Sequence, residues 1–214
     1  MKTAPHRQSR SEKSRAAILS AAERIFAQSG LAGARTDAIA SAARVNKALL
    51  FYHFKNKQGL YEAVVEDHFR EFNRQALQLL KSGDSAGETL LRYVSLHFDF
   101  ISARHQSAPL FQQFMMTGGR RVDRLIEKYF KPRSQAVSRL LERGMRAGEF
   151  RPVDRFHAAV SIVSLIVFYF SAAQVLERLG HSNAYNATNL KARKREVLDF
   201  IRHALFVHPN ACSS

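Results

Sequence analysis

Residues Thr36–Val65 read TDAIASAARVNKALLFYHFKNKQGLYEAVV, and the fold turns on how the middle of that stretch is understood. Phe51, Tyr52, His53 and Phe54 stand side by side, with Lys47 before them and Lys55 and Lys57 after. One reading is a recognition surface for a polyanion; the other is a helix end with a buried aromatic staple and a solvated rim. Upstream, Ile39, Ala40 and Ala43 share one face of a short helix that follows Thr36, a residue type suited to capping. The chain then breaks at Arg44-Val45, and Asn46, another capping type, opens a second short helix that carries Leu50. A short helix, a tight break and a second helix with polar residues at its start form helix-turn-helix grammar. That arrangement leaves Asn46 and Lys47 free to enter a major groove. Many helical hairpins share the spacing, so charge has to weigh beside it.

The charge is large and uneven. The 214 residues hold 33 Lys and Arg against 18 Asp and Glu, a formal +15. Residues 1–60 alone contain 11 basic and 3 acidic side chains. A basic N-terminal quarter suits nucleic acid or another anionic surface. One cysteine, Cys212, rules out an intramolecular disulfide and points to a reducing, cytoplasmic setting. The first residues, MKTAPHRQSR, are polar and basic without an apolar core; they read as a disordered arm over residues 1–10 and not as a secretory signal. The nine histidines are scattered, no His-x-x-x-His or Cys pair has ligand spacing, and no glycine-rich phosphate loop occurs. No catalytic constellation, metal site or cofactor is therefore expected.

Almost every segment has helical period. A first helix is predicted from about Ser11 to Ser29, with Ile18, Ala22, Ile25 and Phe26 on one face and Gly30 as its stop. Asn56 caps a longer fourth helix bearing Leu60, Tyr61, Val64, Val65, Phe69 and Phe72. After the turn SGDSAG, helices are expected over 88–104, 108–117, 122–147 with a kink at Pro132, 154–179 and 190–206. Ala158–Leu176 is 19 residues long without a charge, near the length of a membrane span. Four polar residues dilute it and Arg155, Glu177 and Arg178 close it, which favours a helix buried on several sides.

The run YHFKNK with its following leucine, within Thr36–Val65, strongly resembles the N-terminal domain of the TetR family of transcriptional regulators. The match covers about residues 11–65, and GEFRPVD before the apolar helix adds a looser likeness. The resemblance implies an all-α, nine-helix, Ω-like two-domain homodimer. A helix-turn-helix domain would occupy 11–57, a ligand-binding and dimerisation bundle 58–208, and a flexible tail 209–214. Carried over by position, Asn46, Lys47 and Leu49 would meet bases while Tyr52, His53 and Lys57 would hold phosphates, with Arg35 and Thr36 completing the DNA-facing set. Three departures stand out. Arg44 replaces the usual glycine of the turn and adds a cation, Leu49 replaces a common threonine, and Phe51 a common tyrosine.

The C-terminal half is rich in aromatic residues. At helical spacing each is more often core than ligand cage, but as a set they fit an apolar pocket. The resemblance implies a hydrophobic or aromatic inducer there, with His97, Phe98, Ile101, Phe111, Gln112, Phe114, Met115 and Phe168 as candidate contacts and Arg120 as a further polar group. Ile162, Leu165, Val175 and Leu198 are the candidate dimer contacts. The basic cluster Lys191, Arg193, Lys194 and Arg195 reads as a solvated face. The expected function is a ligand-responsive repressor that binds a palindromic double-stranded DNA operator and is released by a small molecule. Two rival readings fit the sequence: a small-molecule or multidrug-sensing binding protein whose DNA role is secondary, and a membrane-associated helical protein.

Overall fold

Short polar side chains decide where these helices begin. Asn46, Ser85, Asp154 and Asn186 each accept a hydrogen bond from the amide three residues on, at Leu49 (2.7 Å), Glu88 (3.1 Å), His157 (2.8 Å) and Asn189 (2.8 Å). Asn56 does the same for Gly59 at 2.7 Å. Such bonds satisfy amides that the first helical turn leaves without an acceptor. The computed structural model describes the backbone of residues 5–180 and 183–209, and their side chains except those of residues 5–10 and 174. Its first helices are α1 (Pro5–Gly33), α2 (Thr36–Ala42), α3 (Lys47–Phe54), α4 (Lys57–Leu79) and α5 (Ala86–Ser102). A 3-10 turn (His105–Ser107) leads to α6 (Ala108–Met116) and α7 (Gly119–Leu125). A π-helical turn (Ile126–Phe130) joins α7 to α8 (Lys131–Arg146), and α9 (Arg155–Ser171), α10 (Ala173–Arg178) and α11 (Ala187–Leu205) follow. The stretch from α7 to α8 has no break, and α9 meets α10 at a bend at Ala172. Among the described residues, counting α7–α8 and α9–α10 each as one run gives nine helical runs.

Several boundaries differ from the expected ones. Helix α1 begins at Pro5, so residues 5–10, assigned above to a disordered arm, have helical backbone; Met1–Ala4 lie outside the described residues. Gly30 interrupts α1 at φ 65 and ψ 176, as its role of stop requires. Thr36 is the first residue of α2, and Arg35 holds the cap position with extended backbone and no side-chain cap. The kink at Pro132 takes the form of the π turn just before it. Proline has no amide, and its ring collides with the carbonyl four residues back, at Lys128, so the helix opens there. The uncharged stretch 158–176 is divided at Ala172, and no helix among the described residues is long and apolar enough to cross a membrane. Of the expected tail, residues 210–214 lie outside the described residues.

The chain divides into two compact units, one of residues up to Arg70 with Gln106–Val122, the other of Glu71–His105 with the chain from Asp123 onward. The expected cut at residues 57/58 is displaced for two reasons: α4 runs on without interruption, and α6 packs on α1 in the first unit. That unit is built on Ile18, Ala22, Phe26, Ile39, Leu50, Phe54, Leu60 and Val65, all buried. Phe26 meets Tyr61 edge to face at 5.2 Å, and Tyr61 meets Phe114 of α6 at 5.9 Å.

The second unit packs α5, α8, α9 and α11 together. Its organising segment is Gly148-Glu149-Phe150. Gly148 turns the chain at φ 71. The Glu149 carboxylate accepts from the Ala86 amide (3.1 Å) and the Gly87 amide (2.7 Å) at the start of α5, where the helix dipole favours a negative charge. Phe150 forms an antiparallel bridge with Phe206, and the two rings lie edge to face at 5.1 Å. The Phe150 ring rests directly on Gly144 of α8: a Cβ there would lie 2.1 Å from its Cδ2. An alanine in mid-helix ordinarily stabilises by about 1 kcal/mol relative to glycine. Here the clash should win, and Gly144→Ala should destabilise the fold by about 1–3 kcal/mol. An unchanged or raised thermal midpoint would show that Phe150 does not depend on this contact.

Candidate nucleic-acid interface

Helix α3 is held by one side only. Leu50 and Phe54, four residues apart, are buried, and the Arg15 guanidinium lies 5.4 Å above the Phe54 ring. The opposite side presents Lys47, Ala48, Tyr52 and Lys55 to solvent, with Tyr52 79% exposed. The aromatic run thus serves both readings, Phe54 as staple and Tyr52 as surface. The turn before α3 is tight. The Arg44 and Val45 amides donate to the Ser41 and Ala40 carbonyls at 3.0 Å each, and Arg44 sits at φ 55. That is the left-handed region where glycine is at ease and other residues are not.

The remaining expected DNA contacts take varied positions. Arg35 and Arg44 are exposed; Thr36 and Leu49 are half-buried. The Asn46 oxygen is committed to the Leu49 amide, so only its NH2 group is left to meet a base. Lys47 pairs with Asp37 of α2 at 2.8 Å, and its hydrogen bond is the main reason that the Asp37 carboxyl is held below the usual carboxylate range. His53 has Nε2 3.5 Å from the Ser14 hydroxyl. Burial, and secondarily the charge of Arg15, lower its pKa and favour the neutral ring. Lys57 resolves a conflict in an unexpected way. A cation at the start of α4 opposes the helix dipole, but its ammonium reaches across to the Ala32 (3.1 Å) and Ala34 (3.2 Å) carbonyls at the end of α1, where a cation is favoured.

One residue of this region escaped the sequence reading. A Cβ on Gly59 would lie 2.5 Å from the Phe54 carbonyl oxygen, so only glycine lets the first turn of α4 close against the end of α3. Its signal was a glycine in the first turn of a helix that no turn geometry demanded.

The second unit holds a cavity of about 440 Å³ between α5, the π turn, α8 and α9, bounded by Tyr93, Phe130, Arg133, Ser134, Val137, Ile162 and Val163 among others. None of the eight expected ligand contacts lines it. His97 is buried against Phe72 at 4.4 Å, and Phe98 against Phe170 at 5.2 Å. Ile101 is half-buried elsewhere and Phe168 is 66% exposed. Phe111, Gln112, Phe114 and Met115 belong to α6 in the first unit, where Phe111 stacks on His68 at 3.6 Å. Helical spacing showed that these rings would be buried but not against what. Arg120 is exposed.

The residues that do line the cavity, Tyr93 and Arg133 above all, had a readable signal. Arg133 stands four residues from Tyr129 and from Val137, both buried, so it is a cation on a core-facing stripe. Of the expected dimer contacts, Ile162 is 2% exposed and packs within its own chain, because α9 is apolar on every side and its pattern does not select a face. Leu165 and Leu198 are half-buried, and Val175 is exposed. Among the described residues no cluster of three His, Cys, Asp or Glu could hold a metal ion.

Two family models match the chain. Residues 18–64 match the one described as bacterial regulatory proteins, tetR family. Residues 87–201, more than half of the chain, match the tetracyclin repressor-like C-terminal domain. The HTH-type transcriptional repressor NicS of Pseudomonas putida is 28% identical over 209 residues, which cover 91% of this chain and 92% of NicS. Among solved structures, FadR from Bacillus subtilis in complex with stearoyl-CoA superposes with a TM-score of 0.69 at 20% identity, covering 87% of this chain and 96% of FadR. A transcriptional regulator from Saccharomonospora viridis in complex with choline gives 0.73 at 20% identity, covering 92% of this chain and all of that one (100%). With its helix-turn-helix and both family domains in place, the chain belongs to the TetR family of transcriptional regulators and is not an enzyme.

Proposed function

We propose that the protein is a homodimeric repressor that grips a palindromic operator through α3 and lets go when a small molecule enters the cavity of the second unit. The observation that carries this is the free side of α3, where Tyr52, 79% exposed and edge to face with its neighbour His53, stands between two exposed lysines. Tyr52, His53 and Arg44 would meet phosphates, while Lys47, the Asn46 NH2 group and Leu49 would meet base edges, Leu49 through thymine methyls. The Lys47–Asp37 pair is exposed and screened by solvent, so exchanging Asp37 for a base edge is easy. Lys57 would act mainly by fastening α1 to α4, which aims the first amides of α4 at the phosphate backbone.

Repression is supported by the name of the NicS relative, and ligand response by the stearoyl-CoA and choline bound to FadR and to the Saccharomonospora viridis regulator. Dimerisation is supported by the apolar residues that the C-terminal helices leave bare: Phe168, Val175, Leu179 and Phe200, with Leu165 and Leu198 half-buried. Two helices from each copy would close a symmetric seam. That seam matters because recognition helices must stand about 34–36 Å apart to enter successive major grooves.

Two substitutions test this reading. Arg44→Gly should relieve a left-handed residue and raise stability by about 0.5–1 kcal/mol. In the same variant, operator affinity should weaken and the slope of log K against log salt should fall by about 1. Unchanged affinity and slope would remove Arg44 from the phosphate contacts. Phe200→Asp, at a side chain 60% exposed, should leave the fold intact and yield monomers by sedimentation velocity that no longer hold the operator. If that variant and Leu165→Asp both remain tight dimers, the seam lies on another face.

A further inference from the structure

The cavity of the second unit is lined mainly by apolar side chains, with Tyr93, Lys131, Arg133, Ser134 and Ser164 as its polar groups. There Lys131 is paired with Glu127 at 2.9 Å, but Arg133 has no such partner: among the described residues no carboxylate pairs with it. Its guanidinium is held between the rings of Phe72 (5.0 Å) and Phe130 (4.8 Å), and its Nη1 is buried without a hydrogen-bond partner. Burial works against the charge, and the neighbouring Tyr93 hydroxyl in part restores it. Arg133 as a whole is half-buried, but a guanidinium with a shielded nitrogen and no counter-anion is costly to fold around. Arginine's planar fork is matched by a carboxylate, which can accept two parallel hydrogen bonds from it. Val137, Ile162 and Val163 cover the rest of the space with hydrocarbon.

We propose that this cavity binds an apolar carboxylic acid, the carboxylate on Arg133 beside Tyr93 and the hydrocarbon body among the aliphatic side chains of α8 and α9. The proposal rests on the reading of this cavity as the effector site. The charge of the ligand then supplies what the folded protein lacks, and a carboxylate can accept two parallel bonds from the fork. A neutral amide of the same shape offers one acceptor oxygen and no counter-charge.

The test uses the full-length protein and four probes: octanoate, 2-naphthoate and the primary amide of each, titrated by calorimetry since the chain has no tryptophan to report binding. At least one acid should bind about tenfold or more tightly than its amide. Arg133→Met should erase that margin while leaving amide binding within about twofold, and Arg133→Lys should keep part of it because the charge survives without the fork. Amides that bind as tightly as the acids, or no binding of either acid at millimolar concentration, would overturn the proposal. Should Arg133→Met fail to fold, the margin between acid and amide in the unaltered protein and in Arg133→Lys decides the matter. Release of a fluorescent operator, measured in parallel, separates the two readings. An acid that binds through Arg133 without releasing DNA supports this proposal and overturns the effector role. Release by the amides as readily as by the acids keeps the effector role and overturns the carboxylate.

Discussion

An eight-residue helix cannot stand alone in water, and α3 exists because Leu50 and Phe54 are buried against the rest of its unit. Each such side chain contributes about 1.5–3 kcal/mol when fully buried, which is enough to hold two helical turns. That anchoring fixes the rotation of the helix, and the rotation decides which residues face out. Lys47, Tyr52 and Lys55 are available to a polyanion because Leu50 and Phe54, four residues apart, commit the other face of the helix to packing. The left-handed turn at Arg44, the close approach at Gly59 and the Lys57 ammonium on the end of α1 all support the same posture. They fix where α3 begins, where it ends, and how α4 leaves it.

The positive charge of the chain is spent in two ways. On α3 the cations are exposed, individually weak and open to screening, as suits a partner that must be found, held and released. Arg133 is the opposite case, a half-buried charge held between aromatic rings with one nitrogen shielded and unpartnered, where one complementary group has a large effect. The basic cluster of α11 belongs to neither class. Lys194 pairs with Asp99 at 2.6 Å and Arg193 donates to the Leu165 carbonyl at 2.8 Å, so that helix uses its charge to pack on its neighbours.

How far the fold was legible depended on how local each cause is. Asn46 and Asn56 were read correctly as caps because a cap is settled within four residues. Thr36 was not, since the backbone at Arg35 had already taken the extended cap position. Pro132 announced a distortion, and its form, a π turn, follows from a clash one turn upstream. The rings of α6 were read as buried but placed in the wrong unit, because helical period shows that a face is covered and not by what. Ile162 failed for a related reason: a helix apolar all round has no preferred side in its pattern. Arg133 was legible and overlooked, a cation on a buried stripe.

The central claim is that α3 reads DNA as one of a symmetric pair. The most direct measurement is selection of binding sites by the full-length protein from a pool of random duplexes, followed by the same selection with Tyr52→Ala. The account predicts enrichment of one inverted repeat, its half-site centres separated by whole helical turns of about 10–10.5 base pairs, and loss of that enrichment in the variant. No enriched sequence, a site without two-fold symmetry, or an inverted repeat recovered equally well by Tyr52→Ala would contradict it.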